Sequence, residues 1–531
     1  MLLCVIVALV CMLPKHENDL FFELRIGSDI LATRHIPHFD TYSWSRYGTR
    51  WDVPEWLAFV FYSLAYKTAG FFGTWLLMAS LTFATVLAAW CSLRKTCGAL
   101  PAFVLTNVML MSMSDYIQER PYAFTYLFLA VSLGIVVRAR RGSAVRLLWL
   151  VPICALWANL HQGVVAFTGI LFVLSVGDCI ELFWLRKSST ATRTEDHARE
   201  TRIRRNARSM IATAVACCIA ACASPYGYRI FWNIFITMRS QSLMSHVMEW
   251  RAITILPWSQ LTPFLAAVVI VVLASTRSKV RVRVAEFLVI AALLCESFLH
   301  VRNIPIFAIA SVVFFGPACC RGVRHFWRER PNLPSLRGRP SIVSFYLFLY
   351  LIAIAFPSVA MLAKVNAGHA LSRRSFGRAV ARYPDYPEQA CAFMGTEQFP
   401  QNLRTLNNFQ IGGFLMWRLP IRKDFIDGRL DVFVGRVFDD NLIIAKGDVN
   451  PSWMSIVRKY NFDCVITTRQ SEASAFAKLP DWICVYADLG KRRTYQGFIF
   501  LRRRPELAAL IARCLASGHR TAAHPPSASS R

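Results

Sequence analysis

Glu17, Asp19, Glu23 and Asp29 crowd into ENDLFFELRIGSDIL, residues 17–31, directly after a short apolar run in a chain whose net charge is +28. A carboxylate held at the right place can take a proton from a hydroxyl. Other compact polar motifs recur down the chain: IPHFDTYSWSRYG (36–48), WDVPEWL (51–57), QERP (118–121), ANLHQG (158–163), ASPYGYR (223–229) and HVRNIP (300–305). They supply Arg120 and Arg302, each beside a Pro-containing helix start, and His161 with its companion Asn159. A guanidinium is a rigid bidentate fork for phosphate or carboxylate, and an imidazole accepts, donates or relays a proton. Ionisable side chains near a bilayer are costly, so their concentration on one face marks a site. Whether they share a face depends on how the chain is threaded.

The 531 residues are 55% hydrophobic and only 17% charged, with a mean hydropathy of +0.39, which excludes a string of soluble domains. A hydrocarbon core about 30 Å thick needs roughly 20 apolar residues per helix. Eleven candidate spans follow: 1–14, 70–92, 99–116, 121–137, 146–158, 163–185, 209–223, 256–275, 284–299, 303–319 and 341–364. The first is short and resembles the apolar region of a signal peptide in length, yet no basic residue precedes it and no small-residue cleavage site follows. It is taken as a true first helix, from a chain whose start lies upstream.

Alternate loops carry the charge. Residues 94–95, 138–146, 186–208, 277–283 and 320–340 hold 24 Lys and Arg, whereas the intervening loops hold 10 over more sequence. That asymmetry identifies the basic loops as cytoplasmic. The N-terminus is then cytoplasmic, the polar motifs share the outer face, and the segment after 365 is extracytoplasmic. The basic runs are accounted for by topology and contact with anionic membrane lipid, and no nucleic-acid partner is expected. Sixteen Cys form no paired CxxC spacing, so no metal site is assigned.

The expected domains are 1–365, a transmembrane domain that includes a first outer loop at 15–69 with an interfacial helix over 54–70; 366–517, a small extracytoplasmic α/β domain; and 518–531, a disordered Pro/Ser-rich tail. Within 366–517, RKDFIDGR, FDCVITTR, WICVYADL and GFIFLRRR read as strands, and PSWMSIVRKY and PELAALIARCLA as helices. Gly412-Gly413 permits a turn or a close backbone approach.

In this order the motifs resemble the GT-C glycosyltransferases, relatives of the protein mannosyltransferases and the lipid-A aminoarabinose transferases. The resemblance rests on DLFFELRIGSDIL, IPHFDTYSWSRYGTRW with EWL, RPYAF, LWANLHQG, RNIP, NNFQIGGFLMWRL and DFIDGRLDV, and spans most of the chain. It departs from the family at Glu17 for Asp, at Phe21 and Phe22 for a Trp pair, and at Glu23 and Pro54 for His. The resemblance implies a polytopic α-helical GT-C-like fold of about eleven transmembrane helices. It also implies transfer of a sugar, with inversion, from a polyprenyl-phosphate carrier to an envelope acceptor at the outer face of the bacterial inner membrane. Asp19 is then the candidate base and Glu17 its alternate or helper. Arg120, Arg302 and His161 are candidates for the departing phosphate, Asn159 orients the imidazole, and Glu55 is a substrate-binding candidate. No cofactor is required by the sequence, and dependence on a divalent cation stays open. A non-catalytic member of the same fold that binds lipid-linked glycan is the alternative, and a secondary transporter, which would show an internal repeat, ranks behind it.

Overall fold

The computed structural model describes residues 18–142, 146–188, 194–256, 283–328, 386–489 and 495–517, with a few between 261 and 272. The expected spans 1–14 and 341–364, most of 256–275, Glu17 and the tail 518–531 lie outside the described residues. The chain divides into two compact units. Among the described residues, one gathers those within 75–235 and 244–328, and the other gathers those within 18–74, 236–243 and 386–517.

The first unit is helical. Phe71–Cys97, Tyr122–Arg140, Val164–Lys187 and Val301–Gly322 are long and apolar enough to cross a membrane. Other expected spans fold shorter. The 99–116 run is helical over Ala99–Met113 and then tightens into a turn at Ser114–Tyr116, and 146–158 yields a turn and the helix Leu150–Trp157. The 284–299 run, by contrast, is helical over its whole expected length, Val284–Leu299. Eleven full-length spans are therefore not seen among the described residues. The basic loop expected over 186–208 is also partly helix: Thr194–Ala221 runs through it. Glu200 bridges Arg204 one turn on and Arg186 of the preceding helix, both at 2.9 Å, so part of the charge is satisfied locally.

Burial separates a central helix from peripheral ones. The apolar window of Val301–Gly322 is 89% buried against 33% for Phe71–Cys97. Phe172, Phe183, Trp184, Val215 and Ile219 face outward along Val164–Ser188 and Thr194–Ala221. So much contiguous apolar surface suits lipid rather than water. Arg140, one of the basic-loop residues, is not a solvated topology marker. It is buried in a two-pronged pair with Asp178, Nη1 to Oδ2 at 2.5 Å and Nη2 to Oδ1 at 2.7 Å. Low dielectric makes each charge costly unless paired, so this contact ties Tyr122–Arg140 to Val164–Ser188.

The second unit holds a four-stranded sheet in the order β1-β2-β4-β3, with β1 Thr405–Asn407, β2 Cys464–Thr467, β3 Trp482–Leu489 and β4 Tyr495–Arg502. β1 and β2 are parallel; β4 runs antiparallel to β2 and β3. The helix Pro451–Tyr460 starts with Pro451 in its first turn and Asn450 as N-cap, accepting from Trp453 N at 2.9 Å. It ends on Asn461 in the left-handed conformation. RKDFIDGR is not a strand. The Asn407 side chain substitutes for a ladder there, accepting from Phe425 N at 2.7 Å and donating to Ile426 O at 2.6 Å. β1 gave no sequence signal of its own, having three residues.

The opening acidic stretch is the helix Asn18–Thr33, with Phe21 caged by Tyr386, Phe414 and Trp417. Gly412-Gly413 lies inside the helix Phe409–Arg418, which rules out a turn and leaves close approach. A Cβ on Gly412 would stand 2.0 Å from Ile426 O, and one on Gly413 2.8 Å from Asn18 O. The expected interfacial segment is the helix Trp56–Ala69, which packs on Asn18–Thr33 where Ser63 donates to Leu24 O at 2.7 Å.

Candidate functional site

Three predicted residues converge in the first unit. Arg120 sits in the tight turn ahead of Tyr122–Arg140, its N–H bonded to Gln118 O, with Pro121 opening the helix at a position where the missing N–H costs nothing. Arg302 occupies the short turn Val301–Asn303 between Val284–Leu299 and Ile304–Arg328, and its guanidinium lies 4.0 Å from the centre of the Trp250 ring. His300 Nδ1 fixes that stretch by donating to Trp250 O at 2.8 Å.

Glu249 is the residue that sequence reasoning missed. Its carboxylate accepts from Arg120 and feels the charge of Arg302 as well. Burial raises the Glu249 pKa, but the two guanidiniums outweigh that and hold it below the ordinary carboxylate range. The pairing joins positions 129 apart in sequence, and no local pattern points to it.

His161 follows the helix Leu150–Trp157. Its Nδ1 accepts from Gly163 N at 2.9 Å and sits 2.7 Å from Thr125 Oγ1, and that oxygen in turn accepts from Trp157 Nε1 at 2.8 Å. With Nδ1 accepting, the ring proton resides on Nε2. Desolvation, helped by Arg302 and Arg120, pushes the imidazole down to about 3. His161 is thus a neutral Nε2–H donor near neutral pH, not a proton relay. Thr125 orients it. Asn159, in the turn that follows the helix Leu150–Trp157, donates from Nδ2 to Ala155 O of that helix at 2.8 Å. Gly163 is demanded by space: a Cβ there would meet Thr125 Oγ1 at 2.3 Å and His161 Nδ1 at 2.9 Å.

Asp19 and Glu55 belong to the second unit. Asp19, in the first turn of Asn18–Thr33, lies against Gly428, where a Cβ would stand 2.3 Å from its Oδ1. Glu55 occupies the N-cap position of Trp56–Ala69 without capping it through its side chain. The DGR turn beside Asp19 is held from within. Arg429 donates to Asp427 (Nε to Oδ1 2.9 Å, Nη2 to Oδ2 2.6 Å) and to Asp40 Oδ1 at 2.8 Å, all three side chains being buried. Its guanidinium also lies over Trp51 at 4.6 Å, and Trp51 Nε1 donates to Asp431 at 2.9 Å. Asp424 is buried beside this cluster. Desolvation, then Asp427, raises its pKa well above the ordinary value, while Arg429 opposes. Asp40 thus pins the first loop to residue 429. Among the described residues no group of three or more His, Cys, Asp and Glu is disposed to hold a metal ion.

The fold is similar to that of the oligosaccharyltransferase of Archaeoglobus fulgidus, solved with zinc and sulfate, with a TM-score of 0.51 and 12% identity over 87% of this chain and 67% of that one. Two structures of ArnT from Cupriavidus metallidurans, one bound to undecaprenyl phosphate and one in the apo state, align at a TM-score of 0.46 and 13% identity over 96% of this chain and 97% of theirs. At such identity the likeness is one of fold alone. No family model matches the sequence, and no curated protein matches it.

Proposed function

We propose that this membrane protein transfers a sugar from a polyprenyl-phosphate carrier to an envelope acceptor at the outer face of the bacterial inner membrane. The observation that carries the reading is the convergence of Arg120, Arg302 and the Nε2–H of a neutral His161 at the ends of apolar helices. Donors in that combination stabilise the charge that grows on a leaving phosphate. In the reaction the acceptor oxygen bonds to the anomeric carbon from the face opposite the carrier. The carbon–oxygen bond to phosphate breaks, its electron pair stays on phosphate, and Asp19 takes the acceptor proton, with Glu17 as helper. Glu249 holds Arg120 in place before substrate arrives, and Glu55 is kept as a substrate contact.

The topology has support of its own. A buried ion pair between Asp40 and Arg429 supports placing the first loop and the C-terminal segment in one compartment. Ten intervening spans, the sequence expectation, return the chain to the side it left. On this reading the second unit is extracytoplasmic, with an α/β domain at 366–517, and the N-terminus is cytoplasmic.

The test is Asp19→Asn in the full chain, with membrane insertion verified and the envelope glycan profiled by mass spectrometry. Loss of one glycan species with insertion intact supports the reading. An unchanged glycan removes the proposed base. Purified protein that binds a polyprenyl-phosphate sugar but releases no polyprenyl phosphate with any envelope acceptor makes the chain a glycan binder instead. Gradient-driven uptake would make it a transporter.

A further inference from the structure

Within the second unit, one concavity of about 470 Å³ is used by none of the groups above. Its floor is aromatic. Trp44 and Tyr460 meet edge to face at 6.2 Å, and Trp44 is locked by Nε1 donating to Thr405 O at 3.1 Å. Its rim is cationic. Arg404, Lys423 and Lys459 line it together with Asn402 and Ser45, and no carboxylate does. Lys459 is neutralised by Asp440 at 2.5 Å, but among the described residues no carboxylate pairs with Arg404 or Lys423. Lys423 rests 3.5 Å over the Tyr47 ring, which holds the ammonium at the rim while preserving its charge.

Two uncompensated cations over an aromatic floor select an anion that also has an apolar face. The amide of Asn402 adds donors and an acceptor of the kind that bind sugar hydroxyls, and the Ser45 hydroxyl, which donates to Phe425 O, adds an acceptor. The volume falls in the range of small-ligand sites, roughly 300–1,000 Å³. A single-stranded nucleic acid would instead need an extended basic groove with successive stacking platforms, and this concavity is bounded. We infer that the pocket formed by Trp44, Tyr460, Arg404 and Lys423 binds an acidic saccharide, one bearing a carboxylate or a phosphate. The inference goes beyond the transfer reaction, because binding here requires neither Asp19 nor the lipid carrier.

The test uses the full chain in detergent micelles and calorimetric titration with four probes: a galacturonic acid oligosaccharide, mannose 6-phosphate, maltohexaose and a short oligothymidylate. The first two separate carboxylate from phosphate as the recognised group. Wild-type protein is expected to bind at least one of them, with affinity falling as salt rises. Arg404 and Lys423 are both exposed, so Arg404→Ala with Lys423→Ala is expected to keep the fold while weakening binding at least tenfold. Intact thermal unfolding checks the fold, and Lys423→Arg should restore part of the affinity. Equal binding by wild type and the double variant overturns the inference. So does tighter binding of maltohexaose or oligothymidylate than of either acidic sugar. Asp19→Asn is expected to bind normally, so failure of the transfer reading and failure of this one are seen separately.

Discussion

Gly428→Ala tests the placement of the proposed base by space alone. Gly428 is not among the residues with positive φ, so alanine meets no backbone penalty there. Its Cβ would stand 2.3 Å from Asp19 Oδ1 and 2.7 Å from Phe22 Cε1, whereas ordinary contact begins at 3.4 Å. The ring edge belongs to a buried side chain, packed edge to face on Phe59 at 5.9 Å, and has little room to yield. The carboxylate, at the end of a short side chain in a first helical turn, moves instead, by about 1 Å. A misplacement of that size costs about 10²-fold in a positioned reaction, while overpacking costs about 1–3 kcal/mol of stability. The assay compares the envelope glycan made by wild type, Gly428→Ala and Asp19→Asn at matched expression, with thermal unfolding of each purified protein. The expected result is a folded Gly428→Ala protein whose glycan output falls about 10²-fold. A folded variant with wild-type output would refute the reasoning, since the reacting carboxylate could not then be the one that Gly428 accommodates.

Two further outcomes follow from the protonation states. His161→Gln, which keeps an N–H donor, should retain transfer within about tenfold, and His161→Ala should lose about 10–100-fold, the worth of one hydrogen bond to a charged group. The wild-type rate should show no inflection attributable to His161 between pH 5.5 and 8, because its pKa is pushed down to about 3; a His161-dependent limb near 6.5 would contradict the neutral donor. Asp424 has a folded pKa raised by burial, so the native state holds a proton that the unfolded chain releases. Its contribution is fully present below the ordinary carboxyl value of 3.8 and is lost as pH climbs from there through the raised value. Asp424→Asn should match wild type near pH 4 and exceed it by about 1–3 kcal/mol at pH 8, read as a higher Tm; equal Tm at both pH values would show that Asp424 ionises freely.

Much of this was legible before any coordinates. Hydropathy marked the long helices because hydrocarbon thickness imposes a length. Strong local codes marked Pro451–Tyr460, where cap and proline are adjacent in sequence, and β3, found over the eight residues of WICVYADL. RKDFIDGR looked like a strand because β-branched and aromatic residues favour one. A distant Asn407 side chain and a buried ion cluster took over its hydrogen bonds instead.

Sequence by itself supplied the candidate residue types, Asp19 in one unit and Arg120, His161 and Arg302 in the other, since rare ionisable groups stand out in apolar surroundings. It could not say what each one faces. That Glu249 holds Arg120, that Thr125 contacts His161, that Asp40 reaches Arg429, and that Arg140 is buried against Asp178 were decided by tertiary structure. The physical reason is range. Hydropathy and capping act over a few residues and are written locally, whereas pairing of charges and choice of tautomer depend on groups that only folding brings within about 4 Å.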